Sequence, residues 1–319
     1  MSTARQYVGR LAPSPTGALH LGNARTFLAA WLRARVSGGR VIMRMEDLDH
    51  PRDKPGAAAA ALEDLRWLGL DWDAQYVQSE RRALYRAALE RLAAAGLAYV
   101  CTCSRKDVEH AQSAPHAGEQ LHYPGTCRGR WASWSAAADA IAPRIPCWRF
   151  RVAAETRVEF TDAFRGAYAQ DVARTLGDFP LARDADGAGY TLAATYDDCV
   201  MGVTEVVRGD DLLPATPGQL LVARALGFEP PQYLHVPLVV SGDGLRLAKR
   251  HGDTRLASIR AAGVPAARVL GVLAWWCGWA DFGEEVTLPE LLRRFDLSRL
   301  PSSPAVLTSS VKSLLRIEG

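Results

Sequence analysis

Long apolar runs are missing from this chain. No eighteen-residue apolar stretch occurs, which excludes a membrane-spanning helix. The N-terminus lacks the apolar segment of a signal peptide, so cytoplasm is the expected compartment and no membrane partner is expected. A one-sided charge is missing too. Lys and Arg number 38 against 35 Asp and Glu, and the net +3 is too small for a generic polyanion binder. A nucleic-acid partner would have to be met by local patches. Cysteine is sparse, six in 319 residues, and includes a Cys-x-Cys pair. That speaks for a reducing compartment and a metal, not a disulfide framework. The remaining balance, 48% hydrophobic and 23% charged, is that of a soluble globular protein with room for one large or two smaller domains.

The most informative stretch is Arg10-Leu11-Ala12-Pro13-Ser14-Pro15-Thr16-Gly17-Ala18-Leu19-His20-Leu21-Gly22-Asn23. A short strand precedes it, and residues 24–35 carry Phe27, Leu28, Trp31 and Leu32 at helical spacing. Two prolines and a glycine between them force a tight turn. Strand, turn and helix N-terminus together make an anion site, because unsatisfied backbone N–H groups and the helix dipole converge there. His20 can donate to a phosphate, and Gly22 lets a flat or charged group approach the backbone.

A second predicted strand, 40–45, runs into Glu46-Asp47-Leu48-Asp49 at the edge where open parallel sheets bind ligands. Residues 55–68 read as a helix, with Trp67, Leu68, Leu70 and Trp72 expected in the core. Ser79 is expected to start another helix, with Leu84, Leu89 and Leu92 inside. Cys101-Thr102-Cys103 and the later Cys127 offer three ligands of a tetrahedral zinc site. For the fourth, His122, His116, His110 and Tyr123 are candidates, and plain zinc chemistry favours His122 over a phenol. Cys147 and Cys199 stand alone and read as buried apolar side chains.

Further on, Tyr190-Thr191-Leu192-Ala193 precedes a strand that ends in Val207-Arg208-Gly209. An arginine there can hold a carboxylate through two hydrogen bonds. Thr216-Pro217-Gly218-Gln219 reads as a capping box with proline at the first helical position. After a buried strand comes the basic loop Leu245-Arg246-Leu247-Ala248-Lys249-Arg250, able to reach phosphates where charge develops. From Pro301 on, the serine-rich tail shows little pattern and is expected to be loosely ordered, partly non-native sequence included.

Taken together these motifs resemble class I aminoacyl-tRNA synthetases of the glutamyl branch, with His20-Leu21-Gly22-Asn23 matching the first signature of the class. The resemblance covers roughly residues 5–300 and implies an α/β fold with a Rossmann-type parallel sheet. By it, residues 1–100 are the first half of the nucleotide-binding domain and 101–188 a connective insertion bearing the zinc. Residues 189–255 are the second half with the lysine loop, 256–300 a short helical stem and 301–319 the tail. It also implies a glutamate pocket of Arg10, Leu11, Ala12, Pro13, Ser14, Glu46, Tyr190 and Arg208. Two arginines would face carboxylates and Glu46 the ammonium, without saying which arginine takes which carboxylate. ATP, with Mg2+, would meet His20, Gly22, Asn23 and Lys249. His20 and Lys249 would be catalytic. The lysine loop departs from the class pattern, with Arg246 for its first lysine and Ala248 for its serine.

Full-length glutamyl enzymes continue into a helical anticodon reader, whereas this chain stops soon after Lys249. That brevity, and the zinc pattern Cys101, Cys103, Tyr123, Cys127, resemble the shorter glutamyl-queuosine tRNA(Asp) synthetases. The implied activity is activation of L-glutamate by ATP and its transfer to the queuosine base of tRNA(Asp), by a monomer. Two alternatives share the motifs: a minimal glutamyl-tRNA synthetase charging tRNA(Glu), and a non-catalytic RNA-binding relic of the fold.

Overall fold

Parallel strands covered by helices on both faces read as near-continuous apolar runs. Val8–Leu11 (β1) and Arg40–Met45 (β2) are two such runs, linked by helix Leu21–Val36 (α1). Helix Ala57–Trp67 (α2) leads on to strand Ala74–Val77 (β3). The computed structural model describes residues 6–48, 53–111, 122–185, 187–245, 247 and 253–317. Its next elements are Arg82–Ala94 (α3), Ala98–Cys101 (β4), Arg105–Ala111 (α4), Trp134–Ile141 (α5), Cys147–Phe150 (β5), Arg157–Asp162 (β6) and Gly166–Asp171 (β7). Val172–Thr175 (α6), Pro180–Ala182 (β8), Tyr190–Val200 (α7), Glu205–Gly209 (β9), Thr216–Ala225 (α8), Gln232–Val236 (β10) and Val239–Ser241 (β11) continue the chain. Leu256–Ala261 (α9), Ala266–Trp275 (α10), Leu288–Arg294 (α11), Ala305–Leu307 (β12) and Ser309–Leu314 (α12) complete it.

Two compact units result. Met1–Val77, Val203–Leu213 and Gln232–Gly319 form the first; Gln78–Gly202 and Pro214–Pro231 form the second. In the first, β1, β2 and β3 pair in parallel, and so do β9 and β10. β9 runs beside β1: the Thr204 N–H donates to the Val8 carbonyl at 2.9 Å, and the Val8 N–H donates to Thr204 Oγ1 at 2.9 Å. The strand order is therefore β3, β2, β1, β9, β10, the expected α/β class. Chain order reverses between β1 and β9, and open sheets bind ligands outside the carboxyl ends at such a point. Leu28 and Leu32 of α1, Met43 of β2 and Val206 of β9 fill the core of this unit.

The second unit is mainly antiparallel, with β4 and β8 flanking β5 and with β6 and β7 as a hairpin. Asp197 on α7 is wholly buried in it. The carboxylate accepts from Arg81 Nε at 2.9 Å, Tyr85 Oη at 2.6 Å and Gln78 Nε2 at 3.2 Å. A buried carboxylate persists only when its acceptor sites are filled in this way.

Several expectations are corrected. Gln78–Arg81 is a 3-10 turn and α3 begins at Arg82, so Tyr85, Ala88, Leu89 and Leu92 make the buried stripe while Leu84 is exposed. Trp67 and Trp72 are half-buried, each under an arginine (Arg260 at 6.0 Å, Arg66 at 4.9 Å), whereas Leu68 and Leu70 are core. Thr216 does not cap α8. The cap is Ala215, Pro217 falls at the second helical position, and Thr216 and Gln219 are both buried. The tail is not loose: β12 pairs in parallel with β11, and Thr308 Oγ1 accepts from the Val311 N–H to cap α12. Leu307, Val311, Leu315 and Ile317 are buried, an apolar pattern too short to stand out among serines.

Candidate active site

The turn after β1 is built by its own sequence. Leu11 is wholly buried at the strand end and Pro13 is buried, while Ser14 stands exposed. His20 is the N-cap of α1: the Gly22 N–H donates to its Nδ1 at 3.1 Å, and its own N–H donates to Asn23 Oδ1 at 3.2 Å. This reciprocal capping box satisfies helix-terminal donors and fixes the ring. An Nδ1 that accepts carries no proton, so the neutral ring bears its N–H on Nε2. A Cβ on Gly22 would lie 3.0 Å from His20 Cε1, so glycine is what lets the ring fold back on the helix. No acidic residue occupies the first turn of α1, leaving its positive dipole end uncompensated by carboxylates of the helix.

Other carboxyl-end loops are tied to this turn. The Glu46 N–H donates to the Pro13 carbonyl at 2.9 Å, and the Lys54 N–H to the Pro15 carbonyl at 3.0 Å. The Leu21 N–H donates to the Thr254 carbonyl at 3.1 Å, and the Leu256 N–H to the Leu19 carbonyl at 2.9 Å. Two cavities open on it. One of about 390 Å³ is lined by Ala12, Ser14, His20, Asn23 and Phe27; the other, of about 770 Å³, by His20, Lys54, Leu247, Thr254 and Arg255. Lys249, with Arg246, Ala248 and Asp49, lies outside the described residues.

Arg10 and Arg208 are both buried. Arg10 Nη1 donates to the Val207 carbonyl at 2.8 Å, which carries the β1 arginine across to the strand of Arg208. Arg208 Nε donates to His235 Nε2 at 3.0 Å. Glu46 is held by Arg44, whose Nη2 donates to its Oε1 at 2.9 Å. The structure thus gathers Arg10, Ser14, His20, Gly22, Asn23, Glu46 and Arg208 in the first unit, along the carboxyl ends of β1, β2 and β9. Tyr190 is the first residue of α7, in the second unit, and is exposed.

The second unit holds the thiols. The Sγ atoms of Cys101, Cys103 and Cys127 lie within 4.8 Å of one another, the one such metal-capable group among the described residues. Tyr123 Oη is 3.3 Å from Cys101 Sγ and 3.6 Å from Cys103 Sγ, and accepts from the Cys127 N–H at 2.8 Å. Arg149 lies over the Tyr123 ring at 3.9 Å. Hydrogen bonding by Cys147, with Tyr123 and Arg149 adding to it, lowers the Cys101 thiol to about 4 against the effect of burial. Burial pushes Cys103 up to about 12. At Cys127 burial is outweighed by hydrogen bonds from Tyr123 and Thr102, and the thiol is lowered. Three convergent sulfurs and a phenol oxygen already oriented by a backbone donor suit a tetrahedral ion. His122 instead has its Nε2 2.8 Å from the Ala173 carbonyl; His116 and the side chain of His110 lie outside the described residues.

Some residues around these sites carry no sequence signal. Cys147, expected as a lone apolar thiol, stands directly opposite Cys101 in the β4–β5 register and is only half-buried. His235 reads in sequence as one more residue of a buried strand, and Lys54 belongs to no motif. Only pairing across strands and loops brings them to the sites. Asp178, wholly buried, takes both Arg128 Nε and Nη2 at 2.6 Å, fixing the residue that follows Cys127.

Residues 6–311 match the family described as tRNA synthetases class I (E and Q), catalytic domain. A protein named Glutamyl-Q tRNA(Asp) synthetase from Symbiobacterium thermophilum is 49% identical over 308 residues, 93% of this chain and 94% of its own. One of the same name from Deinococcus radiodurans is 48% identical, covering 89% and 94%. Among solved structures, a glutamate tRNA ligase from Elizabethkingia meningosepticum in complex with its amino acid superposes with a TM-score of 0.81 at 26% identity, over 97% of this chain and 68% of that one. With the parallel sheet and the capped His20 turn described above, these matches show that the chain belongs to the class I tRNA synthetases of the glutamyl and glutaminyl type, among the glutamyl-Q tRNA(Asp) synthetases.

Proposed function

We propose that this chain is a ligase that activates L-glutamate with ATP to glutamyl-adenylate and transfers the glutamyl group to the queuosine base of tRNA(Asp). The observation that carries the reading is the match, at 41–49% identity, to proteins named Glutamyl-Q tRNA(Asp) synthetase over 92–98% of their own lengths. In the first step the glutamate α-carboxylate attacks the α-phosphate and pyrophosphate leaves in line. Positioning and charge stabilisation supply most of such catalysis. Arg10 and Arg208 are assigned to the substrate carboxylates, Glu46 to its ammonium, and Tyr190 to the same amino acid. The Nε2–H of His20 and the N-terminus of α1 would meet phosphate oxygens, with Lys249 and Mg2+ offsetting charge on the leaving group. Support for the lysine loop comes from its flanks. Leu245 is anchored through Ser241, whose N–H donates to the Leu245 carbonyl at 2.9 Å, and Thr254 is bonded beside His20. Cys101, Cys103, Cys127 and Tyr123 would hold a zinc ion, which when bound cross-links the insertion.

The test is transfer of labelled glutamate, with ATP, onto tRNA(Asp) with and without queuosine, beside tRNA(Glu). Label confined to queuosine-containing tRNA(Asp) is expected. Label on tRNA(Glu) instead would mean a minimal synthetase, and glutamate-dependent ATP–pyrophosphate exchange unchanged in both His20→Ala and Lys249→Ala would overturn the site assignment.

A further inference from the structure

Arg208 and His235 face each other across the parallel ladder of β9 and β10. Both are buried, His235 completely. Arg208 is restrained by its neighbours. Its Nε donates to His235 Nε2 at 3.0 Å, its Nη2 approaches the Leu212 carbonyl at 3.4 Å, and its Cζ lies 5.1 Å from the Tyr233 ring. Tyr233 and His235, two residues apart on one face of β10, stack nearly parallel at 8° with centroids 6.0 Å apart. An arginine Nε has a single N–H, so a bond from it can form only to a ring nitrogen without a proton. That assigns the neutral His235 tautomer with the proton on Nδ1.

We propose that His235 is a positioning residue for glutamate selection: its Nε2 accepts from Arg208 Nε and so sets the direction in which the planar guanidinium meets a substrate carboxylate. This rests on the reading of Arg208 as a glutamate-binding residue. A guanidinium recognises a carboxylate through two parallel N–H bonds, and that match depends on the plane of the fork. Leu212 approaches the guanidinium at Nη2 and the Tyr233 ring packs against it; His235 fixes the edge at Nε and so limits rotation about the last side-chain bond. A side chain filling the same volume without an acceptor would let the fork swing and would leave a buried N–H unsatisfied.

Two variants separate the acceptor from the packing. His235→Phe keeps a ring against Tyr233 and loses the acceptor. His235→Gln loses the ring but carries Oε1 at about the reach of Nε2. In ATP–pyrophosphate exchange, His235→Phe should raise the KM for glutamate about tenfold or more and lower the preference for glutamate over glutamine, while the KM for ATP stays within about twofold. His235→Gln should stay within about threefold of the parent for glutamate. Equal losses in the two variants, or a His235→Phe enzyme with the parent KM for glutamate, would overturn the proposal. Arg208→Ala is the control: if it leaves the KM for glutamate unchanged, the pocket assignment itself fails and the role of His235 with it. Nitrogen NMR of histidine-labelled parent protein gives a reading independent of how the variants fold. A proton on Nδ1 of His235 is expected, and a proton on Nε2 would refute the bond.

Discussion

Asp64 on α2 allows a sharp test of the electrostatics of the first unit. Its side chain is wholly buried, and neither carboxylate oxygen has a hydrogen-bond partner among the described residues. Arg260 of α9 faces it, Nη2 at 3.6 Å from Oδ1, and its Nη1 also holds Glu63 at 3.0 Å. Burial pushes the Asp64 carboxyl up to about 6, the attraction of Arg260 only partly opposing it. A folded-state value above the unfolded 3.8 means that the folded chain binds this proton more tightly. The contribution to stability is therefore greatest in acid and falls as pH rises from about 4 to about 7. A carboxyl raised this far corresponds to about 3 kcal/mol in full, of which about 2 kcal/mol falls between pH ~4 and ~7.5. Asp64→Asn removes the titration, and Arg260 retains Glu63. Relative to the parent, the variant should gain about 2 kcal/mol between those two pH values, read as a shift in urea midpoint at constant m. Carboxylates lowered on folding, such as Asp178, are common to both proteins and cancel in the difference. A difference independent of pH would refute the reasoning. A variant that loses ground as pH rises would mean that the Arg260 pair outweighs burial.

Three further outcomes are expected. Gly22→Ala should displace the His20 ring and cut glutamate-dependent exchange by about tenfold or more while the melting temperature changes little, since the clash is with one side chain; parent activity would show that the ring position is not needed. Cys103→Ser should lower zinc content measured by atomic emission, whereas Cys147→Ser should retain it, and metal uptake by the parent should release protons because Cys103 is held protonated at neutral pH; a zinc-replete Cys103→Ser would remove that thiol from the ligand set. Leu315→Ala should destabilise the chain by about 2–5 kcal/mol in urea unfolding, as expected for a wholly buried leucine, and a neutral effect would restore the view of a loose tail.

Much of this was legible in sequence, and for a local reason. Strands β1, β2 and β9 are short, mostly apolar runs whose ends coincide with motif residues, so strand and candidate site could be read from the same few positions. His20 with Gly22 and Asn23 was readable because a capping box is a contact between near neighbours. What escaped depends on distant pairing or on helical phase. The turn of 3-10 helix at Gln78–Arg81 shifts the face of α3, and no residue in it announces the shift. Thr216 and Gln219 have the composition of a cap but are buried, because α8 starts one residue earlier. Cys147 is ordinary until register sets it opposite Cys101, and Glu46 shows its bond to Arg44 only once both are placed.

The same distinction explains why the turn of residues 12–20 is the centre of the first unit. Its carbonyls at Pro13 and Pro15 receive the N–H groups of Glu46 and Lys54, and its far end pairs with Thr254 and Leu256 on the chain that returns from the basic loop. The proline rings fix φ at these two positions and so stiffen the turn that presents the carbonyls. Segments that lie far apart in sequence are thereby bonded to one turn, itself anchored by the capped α1. Backbone bonds of this kind do not depend on side-chain identity at the bonded positions. The flank at Thr254 and Leu256 therefore keeps its place beside His20 through backbone bonds alone, whatever side chains the basic loop carries.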